Sequence, residues 1–244
     1  MAKQAGLGDK LYVHGRDLSG DISSVDTIAA RRATIDVPVI EDSAMSRLQG
    51  LADGEISLTT WFDDAAHLEH VAFSALPKTD INVLYIRGSA AASPAAGLVA
   101  KQINYDASRG QDRSLTFNVQ ALSQGTALEW GEMFAAEATA SSAGNSSSKD
   151  DSASSSNGLA AYLHIVDINS GTPTFKIQDS ANDSDWADLV GFTAVANGNE
   201  PTSQRVTVSG TVNRYLRVTT TGTFSNAKYV LMYRRGESTD DPSY

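Results

Sequence analysis

The sequence of 244 residues contains no cysteine. This absence excludes a disulfide framework, a thiolate metal site and a cysteine nucleophile. Positive charge is also scarce, since 19 basic residues against 29 acidic ones give a formal net charge of −10. A chain with this balance does not present the basic face that general nucleic-acid binding requires.

Long hydrophobic runs are missing as well. No stretch approaches the roughly 18 apolar residues that a membrane helix needs. Residues 1–10 are polar and lack the apolar segment of a signal peptide. We therefore expect a protein without a membrane segment that is made in the cytoplasm and stays soluble.

The clearest compositional boundary is residues 138–157, where nine of 20 positions are Ser. Such a segment has too little apolar surface to offset the entropy of ordering it. It predicts a flexible Ser-rich linker between a first domain, residues 1–137, and a C-terminal domain, residues 158–244. The alternative is a long hairpin loop inside one domain, although structureless loops of about 20 residues are uncommon.

The first region mixes strand and helix patterns. Residues 54–62 alternate, with Ile56 and Leu58 on one face and Glu55 on the other. A helix is predicted to begin near Asp63 or Asp64, which can cap its free N–H groups, and to end before Pro77. Residues 28–50 show no long regular pattern, so we expect irregular structure there.

The region after the Ser-rich segment is rich in short β-type runs. They are spaced by about 8–12 residues and separated by Gly, Asn and Asp, which is typical of a small antiparallel sandwich. The whole sequence therefore predicts an α+β, mostly β fold. Its first part is an antiparallel β-sandwich or half-barrel with one flanking helix, and its second part is an all-β, Ig-like sandwich.

No constellation for catalysis or metal binding is found. His67 and His70 stand three residues apart on the predicted helix, but a metal site needs a third ligand, so a solvated helix face is favoured. Residues 179–188 contain four aspartates without the spacing of an EF-hand, which favours a polar turn. A nucleophile elbow, a P-loop and a dinucleotide fingerprint are absent. We therefore predict no enzyme, no catalytic residues, no cofactor and no metal.

Several blocks of the first region, taken in order, carry a resemblance to a known family. The blocks are LYVHGRDLSGDI at 11–22, RLQGLADGEISLTTWF at 47–62, SALPKTDINVLYIRG at 74–88, LVAKQINYD at 98–106 and LEWG at 128–131. This series resembles the major tail tube protein of long-tailed phages that infect actinobacteria. The IQDS block at 177–180 and RYLRVTTTGTF at 214–224 also fit, so the resemblance covers almost the whole chain.

The resemblance implies a structural virion protein with a tail-tube-type fold. Copies of the chain would form hexameric rings, and the rings would stack into a tube through which DNA passes without specific binding. Further implied partners are the tape measure, tail tip and terminator proteins. Assembly would take place in the host cytoplasm, and the final location would be the virion tail.

The charge distribution is compatible with such a channel. Residues 1–136 carry 11 basic and 17 acidic residues, a net charge of −6, and excess carboxylates repel phosphates. Glu55 and Asp80 flank alternating strands and are candidate lumen-facing acids, although ordinary solvated surface is an equal alternative. The small, apolar segment 89–96, with Ser89 and Pro94, is a candidate ring-stacking segment. Residues 28–50 are a second candidate for contacts between rings or subunits.

Two other functions remain open at this point. One is a carbohydrate-binding or adhesive protein that decorates a tail or capsid, motivated by Trp186, Tyr215 and Tyr233. The other is a hydrolase of unknown type, for which the sequence offers no nucleophile motif. For Trp61, Trp130 and Trp186, packing in a core or an interface is the favoured interpretation.

Overall fold

The structure, a computed structural model, describes residues 8–65, 69–76 and 79–236. This part of the chain contains sixteen strands and one short helix. Their bounds are β1 (Lys10–Val13), β2 (Arg16–Asp17), β3 (Ile22–Asp36), β4 (Arg47–Trp61), α1 (Glu69–Phe73), β5 (Ile81–Ile86), β6 (Pro94–Arg109), β7 (Leu115–Ser123), β8 (Glu129–Ala140), β9 (Gly144–Asn145), β10 (Lys149–Asp150), β11 (Leu159–Gly171), β12 (Thr174–Ser180), β13 (Ala187–Gly191), β14 (Thr202–Val208), β15 (Tyr215–Thr221) and β16 (Phe224–Arg235).

Eleven of these strands form one large antiparallel sheet. Its main path runs β14-β11-β16-β8-β6-β5-β1-β2, and β6 is the branch point. The first residues of β6 pair with β8, whereas Ala100–Arg109 pair with β7. From β7 the sheet continues to β4 and ends at β3. The length of β6 is what allows one strand to serve both branches.

A second, five-stranded sheet packs on one face of the large sheet. Its order is β10-β15-β12-β13, with β9 also paired to β15. The core between the two sheets contains Phe175 and Leu216 from the small sheet and Leu163 and Leu231 from the large one. Both faces of β11 are covered, which explains why Leu159–Ile165 is a continuous buried run rather than an alternating one.

The first half of the chain has its own core. Ile56, Leu58 and Val119 lie there with Leu11 and Leu98, and all five are buried. Period-two alternation along β4 and β7 places these apolar side chains on one face.

A third cluster joins the two halves of the chain. Tyr12 and Leu84 pack there with Tyr162 and Met232. Residues from both sides of the Ser-rich segment thus share one buried cluster.

The predicted fold class is confirmed. The described residues are mostly β, all their strand pairs are antiparallel, and the sheets do not close into a barrel. Ile56, Leu58 and Thr60 are buried as the alternation of residues 54–62 predicts. No helix in the described ranges is long and apolar enough to span a membrane.

The expectation of irregular structure over residues 28–50 is wrong for the two ends of this range. Residues 28–36 and 47–50 belong to a long hairpin of β3 and β4, in which Asp36 lies opposite Arg47, and residues 37–46 connect the two strands without regular structure. Three register shifts, after Ile22, Val25 and Arg32, accommodate a sequence whose alternation is imperfect. The same irregularities hid the strand from a period-two reading of the sequence.

The predicted helix is described over a shorter range. Helix α1 covers only Glu69–Phe73, while residues 66–68 and Pro77 lie outside the described residues. The Asp63 carboxylate accepts a hydrogen bond from the Ala65 N–H at 2.9 Å. Its backbone carbonyl accepts one from the His70 N–H at 2.9 Å.

Backbone hydrogen bonds pair parts of the Ser-rich segment with a neighbouring strand. The end of β8, β9 and β10 lie within it, and both short strands pair with β15. Arg235 donates a hydrogen bond to Asp151 at 2.6 Å. Small polar side chains do not prevent these ladders, because the backbone supplies the hydrogen bonds. The division into domains at residues 138 and 157 stays a prediction.

Candidate assembly surface

The hairpin of β3 and β4 extends beyond the sheet to which it belongs. β4 pairs with β7 only from Glu55 to Trp61. From Gly54 back to Arg47, its partner is β3 alone. We call residues 30–54 the hairpin ribbon. Eight residues of strand at about 3.3 Å each give the paired part a length of about 26 Å.

Polar contacts fix the tip of the hairpin ribbon. The Val37 N–H donates to the Ser46 carbonyl at 2.9 Å, and the Val39 N–H donates to the Asp42 carboxylate at 2.9 Å. Arg47 pairs with Asp36 at 3.0 Å across the two strands. The tip is therefore a defined turn that holds its side chains in place.

The ribbon exposes an unusual amount of apolar surface. Ile40 is fully exposed, and Leu51 is 86% exposed. Seven of the thirteen exposed large hydrophobic residues of the described ranges lie between positions 35 and 51. They are Ile35, Val37, Val39, Ile40, Met45, Leu48 and Leu51. A two-stranded ribbon is marginally stable by itself in water, and contiguous apolar surface marks an interaction site.

The sequence shows part of what is needed to predict this exposed apolar surface. Ile35, Val37 and Val39 alternate with polar residues and proline, which is a short β-type pattern inside residues 28–50. Alternation indicates that one face of a strand is apolar. It does not tell whether the same chain supplies the layer that would cover that face.

A second surface is the polar face of strands β3, β4, β7 and β6. On this face the Glu55 carboxylate accepts hydrogen bonds from Arg31 at 2.7 Å and from Gln120 at 2.6 Å. Asn104 donates to Asn118 at 3.1 Å on the neighbouring strands. We call this surface, opposite the Ile56 core, the polar sheet face.

Hydrogen bonds hold carboxylates on and beside this face in place. Hydrogen bonds from the Ser123 hydroxyl and the Gly54 N–H hold the pKa of Asp53 below its ordinary value. The distances are 2.8 Å in both cases. Asp26 accepts a hydrogen bond from Thr59 at 2.9 Å. The face is thus hydrophilic and carries fixed negative charge.

The two candidate lumen-facing acids lie in different settings. Glu55 is on the polar sheet face, and its side chain is 13% exposed. Asp80 precedes β5 and pairs with Lys101 at 2.5 Å, with about half of its side chain exposed. Nothing in a single chain reveals a lumen, so their orientation toward one stays a prediction.

The candidate ring-stacking segment spans a turn and the start of a strand. Ser89 is exposed in the turn between β5 and β6, and Pro94 is exposed at the first position of β6. Ala95 and Ala96, which follow, are fully buried. Only the first part of residues 89–96 is therefore accessible in this chain.

The titratable clusters considered in the sequence do not converge on a metal site. No group of three or more ligating side chains occurs within residues 8–65, 69–76 and 79–236. His67 lies outside the described residues, and the His70 Nδ1 atom lies 3.0 Å from the Tyr105 hydroxyl. In the Asp179–Asp188 segment, Asp179 accepts the Asn213 N–H at 2.8 Å, whereas Asp188 pairs with Lys176 at 2.6 Å.

The aromatic residues considered for sugar binding are dispersed. Tyr233 is buried. The Arg217 guanidinium lies 4.3 Å from the ring centroid of Trp186, and that of Arg214 lies 4.9 Å from the centroid of Tyr215. Trp130 is 45% exposed, so it does not pack in the core of this chain, and packing in an interface stays a prediction. Trp61 is equally exposed, at 47%.

Comparisons with known proteins give no family assignment. No protein-family model matches the chain, and no curated protein matches it. Among solved structures, it is similar to a chain in the virion of a native gene transfer agent particle, with a TM-score of 0.43, 15% identity, and coverage of 52% of this chain and 98% of that chain.

Two further structures are similar over nearly the whole chain. One is the Dit protein of SPP1, titled a paradigm of the hub adsorption apparatus in phages infecting Gram-positive bacteria, with a TM-score of 0.34, 10% identity, and coverage of 93% of this chain and 99% of that chain. The other is a chain of the phage p2 baseplate, with a TM-score of 0.36, 7% identity, and coverage of 94% and 99%. TM-scores below 0.5 carry no conclusion about function.

Proposed function

We propose that this chain is a structural virion protein, a phage tail tube subunit whose copies form hexameric rings stacked around a channel for DNA. The observation that carries the proposal is the hairpin ribbon with its exposed apolar side chains. A ribbon of this kind gains stability by burying Ile40, Leu51 and their neighbours against another copy of the chain. The order of sequence blocks that resemble tail tube proteins supports the same function.

The hairpin ribbon and the turn at Ser89 would make the contacts between subunits and between rings. The ribbon reaches about 26 Å beyond the last pairing with β7, far enough to contact a neighbouring subunit. β3 is also an end strand of the sheet, with one edge unpaired in the described chain. Edge-to-edge pairing around a ring would cover such edges.

The polar sheet face, with Glu55 among its acids, would line the channel, and Asp80 before β5 would add a second carboxylate. The neighbouring cations Arg31 and Lys101 are each paired with one of these carboxylates. A phosphate approaching this face would meet fixed negative charge and cations that are already neutralised. DNA would pass because repulsion by these carboxylates keeps it from binding.

The C-terminal sandwich would lie on the outer wall of the tube. Residues 158–244 carry seven basic and nine acidic residues, a net charge of −2, so they contribute little to an acidic channel. Other tail proteins, namely the tape measure, tail tip and terminator proteins, would contact the tube inside and at its ends. The mature location would be the virion tail, after assembly in the host cytoplasm.

Electron microscopy of the purified full chain at rising concentration tests the proposal. We expect six-fold rings or tubes, and sedimentation of large species in the ultracentrifuge. Ile40→Asp places a charge on the fully exposed tip and should abolish assembly without changing the thermal midpoint of unfolding. A matched control is Val71→Asp on α1, which is also exposed but lies away from the ribbon.

Two outcomes would count against this proposal or against the ribbon as the contact surface. A chain that stays monomeric at all concentrations, with or without Ile40→Asp, would overturn the tube proposal. Assembly that survives Ile40→Asp but fails in Val71→Asp would move the contact surface from the ribbon to α1.

A further inference from the structure

A cleft separate from the hairpin ribbon lies where β8, β16 and the Ser-rich segment meet. Its volume is about 680 Å³. Trp130 and Glu132 of β8 line it together with Lys149 to Ser152. We call it the Trp130 cleft. It is larger than a gap filled by single water molecules and falls in the range of small-molecule sites.

The floor of the Trp130 cleft is a connected polar network. The buried Tyr233 hydroxyl lies 2.6 Å from Glu132 and 2.7 Å from Asp151. Lys149 contacts Glu132 and the Tyr233 hydroxyl, and it pairs with Asp151 at 3.1 Å. Arg235 donates to Asp151 at 2.6 Å. This network fixes the floor in one arrangement before any ligand arrives.

The hydrogen bonds of this network also determine the protonation states of Asp151 and Tyr233. Burial by itself would raise the pKa of Asp151, but hydrogen bonds from Tyr233, Arg235 and Lys149 outweigh it and hold that pKa below its ordinary value. Burial and the hydrogen bond to Glu132 raise the pKa of Tyr233. Asp151 is therefore ionised and Tyr233 neutral at neutral pH.

The residues that line the cleft carry equal numbers of negative and positive charges. Three carboxylates, of Glu132, Asp150 and Asp151, face three cations, of Lys149, Arg234 and Arg235. A strongly charged ligand of either sign would have to displace an existing ion pair. A neutral ligand with many hydroxyl groups can add hydrogen bonds to carboxylate oxygens, which accept more than one, without breaking a pair.

Trp130 supplies an apolar platform at the edge of this polar cleft. Its indole is 45% exposed, although Glu129 before it is fully buried. An exposed indole face attracts the weakly positive C–H groups of a ring, because the face of an aromatic system carries negative charge density. An aromatic platform beside hydrogen-bonding groups fits a ring with C–H groups on its face and hydroxyl groups on its edge.

We propose that the Trp130 cleft binds a neutral oligosaccharide. One pyranose ring stacks on Trp130, and its hydroxyl groups donate hydrogen bonds to Glu132 and Asp150, the carboxylates of the cleft with the most exposed side chains. Asp150 keeps its charge for this role because the hydrogen bonds from Arg214 lower its pKa to about 2. The proposal does not rest on the tail tube function, since a monomeric chain carries the same cleft.

Binding of neutral oligosaccharides to the full chain tests this inference. The probes are an array of gluco-, galacto-, manno- and arabino-configured oligosaccharides, with uronic acids as charged competitors. Isothermal titration then gives the affinity for each neutral glycan that binds. We expect Trp130→Ala to lower that affinity about tenfold or more, and Trp130→Phe to recover part of it.

Trp186→Ala is the matched control, because Trp186, just before β13, packs against Arg217 of β15 and does not line the cleft. It should leave glycan affinity unchanged. Failure of every neutral glycan to bind at 1 mM (about −4 kcal/mol) would overturn the inference, as would equal affinity in Trp130→Ala and the native chain. A preference for the uronic acids would also overturn it. If the fluorescence of Trp130 is quenched when the protein concentration alone is raised, the cleft binds a second copy of the chain instead.

Discussion

Glu129 and Arg205 form a bidentate ion pair in which the Arg205 Nε and Nη2 atoms lie 2.7 and 2.9 Å from the two carboxylate oxygens. The two residues are 76 positions apart, on β8 and β14. Glu129 is fully buried and also contacts the Tyr162 hydroxyl. One carboxylate of the LEWG block thus ties the first half of the chain to the second.

Replacing Glu129 with Gln should strongly destabilise the protein. The change removes the carboxylate charge that accepts two hydrogen bonds from the Arg205 guanidinium, whose side chain is 14% exposed. Breaking a buried pair by removing one partner costs about 3–5 kcal/mol. Urea denaturation of the full chain measures the loss. Asp188→Asn, which breaks the exposed pair with Lys176, is the control and should cost about 0–1 kcal/mol. Equal losses in the two variants would contradict the role of the buried pair.

Acid should destabilise the folded state through His164. Its Nδ1 atom accepts a hydrogen bond from the Gly15 N–H at 3.1 Å, and complete burial, with a smaller effect of His14, lowers its pKa to about 3. The unfolded chain binds this proton near pH 6.5, so stability is full above that pH and is lost as pH falls toward 3. At pH 4.5 the loss from this group is about 2–3 kcal/mol.

Comparison with His164→Gln isolates that contribution. Glutamine can still accept the Gly15 N–H but does not titrate. Carboxylates such as Asp151 also lose stabilising charge in acid, and they do so in both proteins. Urea midpoints measured at pH 7 and 4.5 should therefore fall more in the native chain than in the variant. Parallel losses would show that His164 does not titrate in this range.

Shortening the hairpin ribbon should separate assembly from folding. Asp36 and Arg47 lie directly opposite each other, so a two-residue Asn-Gly turn can replace residues 37–46 and close the hairpin. The shortened protein should keep its thermal midpoint within a few degrees, because these residues pack against no core cluster. We expect it to stay monomeric in sedimentation at concentrations where the native chain assembles. Tubes of the shortened protein would exclude the tip as a contact.

A chain ending at Thr139 tests how far the two halves depend on each other. The Ser-rich composition predicts that the first domain folds and assembles alone. The truncation removes β16, which pairs with β8, and it removes Arg205 and Tyr162 from the buried Glu129. We therefore expect an aggregated or unfolded product, judged by circular dichroism and size exclusion. A cooperative, monodisperse fragment would show that the halves are independent domains.

The sequence predicted the strands whose alternation is regular. Ile56 and Leu58 are buried and Glu55 is on the opposite face, because a strand that covers a core has a period of two. The hairpin ribbon was missed because register shifts break its alternation and because it covers no core of its own chain. The composition of the Ser-rich segment predicts a linker and says little about the backbone hydrogen bonds that β15 supplies to it.

By itself the sequence determined the absence of disulfides, the excess of negative charge and the all-β character of the second half. Each of these is a property of residue types and of their spacing along the chain. Only the tertiary structure decided that Glu129 meets Arg205, that Ile40 has no covering layer, and that Trp130 opens onto a polar cleft. These features depend on which strands become neighbours, and local pattern does not specify pairings between residues about 70 or more positions apart.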